Sequence, residues 1–225
     1  MTNKNIFVAC DVSSQKEALD LLSLIHKEIS GIKIGLQYIT QRSPEEIREL
    51  SKFNKPIFYD GKFFDIKNTL IESVKSLEDL NVKYATVHLL NGLDALKATN
   101  KAAKDIDLNL LGVSVLTSFG DDDLERLGFR NKVEEQVKRL IEIAMESDLY
   151  GVICSPLEVK MIKKIAPNLK CFTPGIRMGN TKDDQKRTLS ANEAIKEGSD
   201  CLIIGRPITK GDPKENIKSI LSSID

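Results

Sequence analysis

Eight short apolar runs recur along the chain, separated by longer amphipathic segments, and this alternation constrains the fold more than any other feature. The runs are rich in Val, Ile and Phe, and most are bounded by Gly, Pro, Asp or Ser, as buried strands are. Strands that alternate with helices form parallel sheets, because each crossover helix returns the chain to the same edge. The predicted strands are residues 5–10, 31–35, 55–60, 82–89, 108–116, 149–155, 169–174 and 201–205.

The segments between the runs have helical spacing and recognisable helix ends. Ser14 and Glu17 are placed as a capping box before a run of Leu and Ile. A second helix opens with Ser-Pro-Glu-Glu, a strong start signal, and Gly198 is a predicted C-terminal cap. The predicted helices include residues 14–29, 43–53, 131–147 and 190–198.

Eight strand–helix units in 225 residues predict an α/β fold, a (β/α)₈ TIM barrel formed by a single domain over residues 1–225. The alternative is a doubly wound open sheet, which usually has five or six strands and a glycine-rich first turn. Here the first turn reads ACDVSS and contains no glycine. The chain also shows no linker, low-complexity tract or shift in composition, which favours one domain.

Composition excludes several classes of function. Lys and Arg number 33, as do Asp and Glu, so the net charge is zero, whereas general nucleic-acid or membrane-surface binding needs an excess of positive charge. The four cysteines form no CxxC pair and lie in or beside apolar runs, so we expect them reduced and buried, without disulfides or zinc. The N-terminus lacks the apolar core of a signal peptide, which predicts a cytoplasmic protein.

Polar residues follow nearly every predicted strand, and in a barrel the chemistry lies at the carboxyl ends of the strands. Asp60 and Lys62 are two residues apart, so both side chains share one face if the strand continues. Lys33 stands between Ile32 and Ile34, where an unpaired charge would be costly. The strand-end residues are Asp11, Lys33, Asp60, Lys62, His88, Thr117, Ser118, Ser155, Thr173, Pro174, Gly175, Gly205 and Arg206.

Several of these residues also have a structural interpretation. Lys33 can lie on an edge strand or extend its stem to solvent, and the segment 60–65 can be a solvated turn. His88 can be a hydrogen-bonded core histidine, Thr117 and Ser118 can cap the next helix, and we expect His26 to be structural. Several charges on successive strand ends favour a network of alternating sign, and such networks cluster at functional sites.

Two further segments predict an anion site. IIGRPITKGDP, residues 203–213, places Gly205 and Arg206 directly after the eighth strand, and residues 173–187 form a long polar loop after the seventh. Loops in these positions commonly bind phosphate through backbone N–H groups and an Arg. The alternative for Arg206 is a surface Arg paired with a helix carboxylate.

The segment FYDGKFFDIKNT, residues 58–69, resembles the Asp-x-Lys-x-x-Asp-Ile-x-x-Thr signature of the orotidine 5'-phosphate decarboxylase family. VACDVS, IKIGL, VSVLTS, TPGIR with DDQKR, and IIGRPIT resemble other segments of that family in the same order, from residue 6 to about 220. One segment departs from the family pattern: the fourth strand ends in HLLNG, with Asn91 where a glycine is usual.

The resemblance implies a homodimeric barrel that converts orotidine 5'-monophosphate to uridine 5'-monophosphate without a metal or an organic cofactor. It implies that Lys62 donates a proton to C6 beside Asp60, and that Asp65 and Thr69 reach into the partner's site. Lys33 completes the implied catalytic set. The implied substrate contacts are Asp11, Lys33, Ile66, Thr69, Thr117, Ser118, Pro174, Arg177, Gln185, Gly205 and Arg206.

Two alternatives to this activity remain. Sister enzymes of the same fold, 3-keto-gulonate 6-phosphate decarboxylase and hexulose 6-phosphate synthase, share Asp-x-Lys-x-x-Asp but use Mg²⁺ to stabilise an enediolate. A barrel that binds nucleotide or phosphate without turnover is the alternative from another class of protein. Metal dependence separates the first from the decarboxylase, and turnover separates the second.

Overall fold

The computed structural model describes residues 5–177 and 187–224. Within these ranges, eight parallel strands close into a barrel in chain order, as the sequence predicts. The first and eighth strands close the barrel, where Ile6 faces Leu202 and Val8 faces Ile204. The strands are β1 Ile6–Ala9, β2 Gly31–Gly35, β3 Ile57–Phe63, β4 Val82–His88, β5 Asn109–Val113, β6 Gly151–Ile153, β7 Lys170–Thr173 and β8 Cys201–Ile204.

Helices follow the strands and surround the barrel. The longer ones are amphipathic, with a buried apolar face such as Val137, Leu140 and Ile141 in the helix Val133–Glu146. The helices are α1 Gln15–Ile25, α2 Leu36–Ile39, α3 Pro44–Glu49, α4 Lys67–Lys75, α5 Leu93–Asp105, α6 Asp121–Arg126, α7 Val133–Glu146, α8 Val159–Ile165, α9 Ala191–Lys196, α10 Arg206–Thr209 and α11 Pro213–Ile224.

The core has two layers because strand side chains alternate between the faces of the sheet. Ile6 and Val8 of β1 belong to the larger layer between barrel and helices, whereas Phe7 belongs to the smaller layer. Phe7 lies edge-on to Phe58 and Phe172, with ring centroids 6.4 and 6.1 Å apart. This aromatic packing fills the barrel and leaves its carboxyl end for polar residues.

Most predicted elements are found, with shifted ends. The capping box of Ser43 and Glu46 is complete. Half of the box expected at Ser14 is present, because Oγ of Ser14 accepts the N–H of Glu17. The Glu17 carboxylate accepts hydrogen bonds from the backbone and hydroxyl of Ser13 rather than from the backbone of Ser14. The helix predicted over residues 14–29 ends earlier, at Ile25.

The third strand shows the largest departure from the predicted bounds. The sequence predicts its end at residue 60, but the strand continues to Phe63, with a register shift against β4 between Tyr59 and Phe63. Asp60 and Lys62 therefore lie within the strand, in a stretch where the regular ladder is interrupted. Such irregularities re-aim side chains and are frequent beside active sites.

The cysteines are free and buried, as predicted. Burial raises the pKa of Cys10 to about 12, and the nearby charge of Asp11 acts in the same direction, so this thiol stays protonated. None of the helices in the described ranges has the length and apolar character needed to cross a membrane.

Candidate active site

Four charged side chains of alternating sign lie in a row at the carboxyl ends of β1, β2 and β3. The Lys33 ammonium is 3.5 Å from an Asp11 oxygen and 3.2 Å from Oδ2 of Asp60. The Lys62 ammonium is 2.9 Å from the same Asp60 oxygen. The array, Asp11–Lys33–Asp60–Lys62, brings together the strand-end charges singled out from the sequence.

Asp60 is the centre of this array. Burial alone would raise its pKa, but the charges of Lys33 and Lys62, with hydrogen bonds from Lys62 and Thr86, outweigh burial and hold the pKa below the ordinary value. Lys33 and Asp60 are only 6% and 8% exposed. Removing one partner from such a buried pair typically costs about 3–5 kcal/mol, because the other charge is left uncompensated.

Lys62 reaches Asp60 through an unusual backbone conformation. Its φ is +49°, in the left-handed region, which costs a non-glycine residue on the order of 1–2 kcal/mol. Backbone strain of this kind persists only where the surrounding structure fixes it. Here the Lys62 N–H donates to Oγ1 of Thr86 at 2.8 Å, across the interrupted part of the β3–β4 ladder.

Gly35 makes room for the array, and its role was not predicted. A Cβ at this position would lie 2.5 Å from Oδ1 of Asp11 and 3.0 Å from Nζ of Lys33. Its φ of −100° is open to any residue, so the requirement is for space alone. The motif GIKIG carries the only sequence signal, a glycine two residues after a buried lysine.

Asn91, the departure from the family pattern, joins two backbone segments. Its amide nitrogen donates to the carbonyls of Phe63 and His88, at 3.0 and 2.8 Å. Its amide oxygen accepts the N–H of Asp65 at 3.1 Å. Asn91 thereby links the end of β4 to the segment that leads from Lys62 to Asp65.

A cavity of about 550 Å³ opens above the array. Nine of the predicted site residues line it: Asp11, Lys33, Asp60, Lys62, Thr117, Pro174, Arg177, Gly205 and Arg206. Gln37, Thr209 and Lys210 line it as well and were not predicted. Among the described lining residues, cations outnumber carboxylates, which suits an anionic ligand.

The remaining predicted site residues lie elsewhere. Ser118 is exposed and is not among the lining residues, whereas the neighbouring Thr117 is. Asp65, Ile66 and Thr69 are exposed on their own chain, outside this cavity. Gln185 lies outside the described residues.

Arg187 fixes the β5 edge of the cavity. Its guanidinium donates to the carbonyls of Val115 and Leu116, at 3.2 and 2.9 Å, and pairs with Glu158. Glu158 in turn accepts the backbone N–H of Ser155. The Ser155 hydroxyl accepts the N–H of Leu157, so Ser155, expected at a strand end, is a helix cap and is not among the residues that line the cavity.

His88 lies at the end of β4 with its ring centroid 5.5 Å from that of Phe64. Burial, with a smaller effect of the Lys62 charge, lowers the pKa of His88, so the imidazole is neutral at pH 7. The part of the chain described by the structure contains no group of three or more His, Cys, Asp or Glu residues arranged to hold a metal ion.

The spatial role of Gly35 gives a first prediction. Gly35→Ala should displace the Asp11 carboxylate from Lys33 and lower the free energy of unfolding by about 1–3 kcal/mol, as overpacking does. A crystal structure and denaturant titration measure both effects. Gly120→Ala is the matched control, because the nearest atom to its added Cβ is 3.8 Å away. An undisturbed Asp11 with wild-type stability would contradict this role.

Comparison with known proteins gives the same family as the sequence motifs. Residues 4–220 match the orotidine 5'-phosphate decarboxylase / HUMPS family. The chain is 37% identical over 221 residues to orotidine 5'-phosphate decarboxylase of Wolbachia pipientis subsp. Culex pipiens, covering 97% of this chain and 98% of the relative. It is 38% identical to the enzyme of that name from Legionella pneumophila strain Lens, with full coverage of both chains.

A solved structure has the same fold along its whole length. The crystal structure of orotidine 5'-phosphate decarboxylase from Lactobacillus acidophilus is 30% identical, has a TM-score of 0.86, and covers 99% of this chain and 100% of its own. From its charge array, its barrel and these full-length relatives, the chain belongs to the orotidine 5'-phosphate decarboxylase / HUMPS family.

Proposed function

We propose that this chain, as a single barrel domain, decarboxylates orotidine 5'-monophosphate to uridine 5'-monophosphate, the last step of de novo pyrimidine synthesis. The observation that carries the proposal is the Asp11–Lys33–Asp60–Lys62 array on one side of a cationic cavity. The names of the full-length relatives support the same reaction. The family also includes the HUMPS enzymes, so the chemistry of the array has to show which of the two reactions this chain catalyses.

The reaction needs a cation at the carbon that loses CO₂. The electron pair left at C6 lies in the plane of the pyrimidine ring, where the ring π system cannot spread it. The enzyme therefore has to lower the barrier by an amount on the order of 20 kcal/mol. An ammonium fixed at C6 can stabilise the developing carbanion by charge and then transfer a proton to it.

We assign this ammonium to Lys62. Asp60 holds it at 2.9 Å, and Lys33 on the other side keeps Asp60 ionised. A carboxylate so fixed would lie beside the carboxylate of the substrate. The mechanism proposed here rests on stabilisation of the carbanion rather than on repulsion between the two carboxylates, whose contribution to such reactions is contested.

The other side of the cavity suits the 5'-phosphate. Arg177 follows β7, and Gly205 and Arg206 follow β8, which is the usual phosphate position in barrels. We assign Thr117, after β5, to contact with the pyrimidine, and Asp11 and Lys33 to contact with the ribose. Binding energy from a phosphate remote from C6 can contribute to catalysis by ordering the site.

We further propose a homodimer with shared sites. Asp65 and Thr69 are exposed on their own chain, and Phe64 and Ile66 beside them are 63% and 73% exposed. Large exposed apolar side chains of this kind mark contact surfaces. In a dimer across this surface, Asp65 would reach the partner's array as its next carboxylate.

We place this enzyme in the cytoplasm, with its cysteines reduced.

The reaction itself is the first thing to test. The purified protein, incubated with orotidine 5'-monophosphate and excess EDTA, should remove the orotate ultraviolet absorbance as fast as without EDTA. Lys62→Ala should bind uridine 5'-monophosphate but lose nearly all turnover. Lys83→Ala is the control and should retain full activity, because Lys83 lies at the amino end of β4, whereas the site lies at the carboxyl ends of the strands.

Two results would overturn the proposed reaction. Absence of turnover, with tight nucleotide binding that Lys62→Ala leaves unchanged, would indicate a binding protein. Turnover of a sugar phosphate that requires Mg²⁺, with none of orotidine 5'-monophosphate, would indicate the sister chemistry.

The shared site gives a separate prediction. Lys62→Ala and Asp65→Ala chains should each be nearly inactive alone, because each lacks one member of every site. Equal mixing makes half of the dimers hybrids, and each hybrid has one native site, so about a quarter of wild-type activity should return. Mixtures no more active than the separate variants would show that Asp65 does not act across the dimer.

A further inference from the structure

A fully buried hydroxyl touches both acidic and basic members of the array. Thr86 lies in the middle of β4 with no exposed surface. Its Oγ1 is 3.0 Å from Oδ1 of Asp60 and 2.8 Å from the backbone nitrogen of Lys62. Valine would fill the same space and is equally suited to a strand, so the hydroxyl needs an explanation.

The polarity of these two bonds is fixed. A hydroxyl has one proton to donate and lone pairs to accept with, whereas an ionised carboxylate only accepts. The Thr86 proton therefore points at Asp60, and its lone pair receives the N–H of Lys62. Both bonds can form at once, and the bond to Asp60 is strengthened by the charge.

These bonds orient the carboxylate. Oδ1 of Asp60 receives the Thr86 proton, while Oδ2 faces both ammonium groups, at 3.2 Å from Lys33 and 2.9 Å from Lys62. The charged groups around Asp60 in the described chain are thus Lys33 from β2 and Lys62 from β3, with Asp11 beyond Lys33. Thr86 supplies the contact from β4.

The second bond acts on the backbone that carries Lys62. The ladder between β3 and β4 is interrupted between Tyr59 and Phe63, and Lys62 takes a positive φ there. Its N–H would otherwise be a partly buried donor in need of a partner. Thr86 accepts it and so holds the ammonium stem at the angle that reaches Asp60.

We propose that Thr86 is a positioning residue for decarboxylation, setting the orientation of Asp60 and the backbone of Lys62 through one hydroxyl. The inference rests on the proposed function for its kinetic consequence. Its geometric consequence, a Lys62 backbone held in place by the bond to Thr86, does not depend on which substrate the protein uses. Substrate binding at the phosphate end should be little affected, because Arg177 and Arg206 follow β7 and β8 rather than β3 and β4.

The test compares three Thr86 variants. Thr86→Val should lower kcat for orotidine 5'-monophosphate at least tenfold while KM changes less than threefold. Hydrogen exchange of the Lys62 amide should accelerate at least tenfold. Thr86→Ser, which keeps the hydroxyl, should restore most of both. Thr86→Ala removes the hydroxyl without any risk of overpacking and should reproduce the effects of Thr86→Val.

Thr99→Val is the matched control. Thr99 is also fully buried, but its hydroxyl donates to the carbonyl of Ala95 in its own helix at 2.8 Å. Loss of this bond should leave kcat and the hydrogen exchange of the Lys62 amide unchanged. Wild-type kcat and exchange in the folded Thr86→Val or Thr86→Ala protein would overturn the proposal, as would a Ser variant as impaired as Val. If the wild-type protein does not decarboxylate orotidine 5'-monophosphate, the proposed function is wrong. Hydrogen exchange of the Lys62 amide then still tests whether Thr86 positions Lys62.

Discussion

The ionised carboxylate of Asp60, held between Lys33 and Lys62, is the interaction on which the rest of the site depends. A buried carboxylate with one cation removed would be strongly destabilising, and either lysine without Asp60 would face the other in a buried pocket. Several otherwise unusual features serve this arrangement. Gly35 leaves space for Asp11, and the interrupted β3 ladder turns Lys62 inward.

In the barrel, the residues that stabilise the fold are separate from the polar residues of the site. Aromatic side chains such as Phe7, Phe58 and Phe172 fill the interior of the barrel, and aliphatic side chains fill the layer beneath the helices. The carboxyl ends of β1, β2, β3, β5, β6, β7 and β8 contribute to one cavity, and charges from distant parts of the chain lie 2.9–3.5 Å apart beside it. The strain at Lys62 is tolerated because this scaffold is well packed.

The barrel and most of the charged residues of the site could be predicted from the sequence, because both depend on local patterns. Alternating apolar runs identify the strands, and a charge such as Lys33 inside an apolar run signals a partner. The roles proposed for Lys62 and Asp65 come from the motif resemblance, because local patterns do not give them.

Residues that act through distant contacts could not be found in the same way. Thr86 and Asn91 bond to groups 24 to 28 residues away in sequence, across two strands. Thr86 reads as an ordinary β-branched strand residue, and Gly35 as an ordinary strand end, until the neighbouring strand is in place. The β3 irregularity was also hidden, since a regular strand would equally have put Asp60 and Lys62 on one face.

Titration of the Asp60 carboxyl tests the central claim most directly. Selective ¹³C labelling of aspartate carboxyl groups, with the resonance assigned from Asp60→Asn, would follow its ionisation in the folded protein. The charge array predicts that Asp60 stays ionised as the pH falls below 3.8, the ordinary value for aspartate, for as long as the protein remains folded. A resonance that titrates above that value would contradict the account, because burial would then outweigh the two lysines.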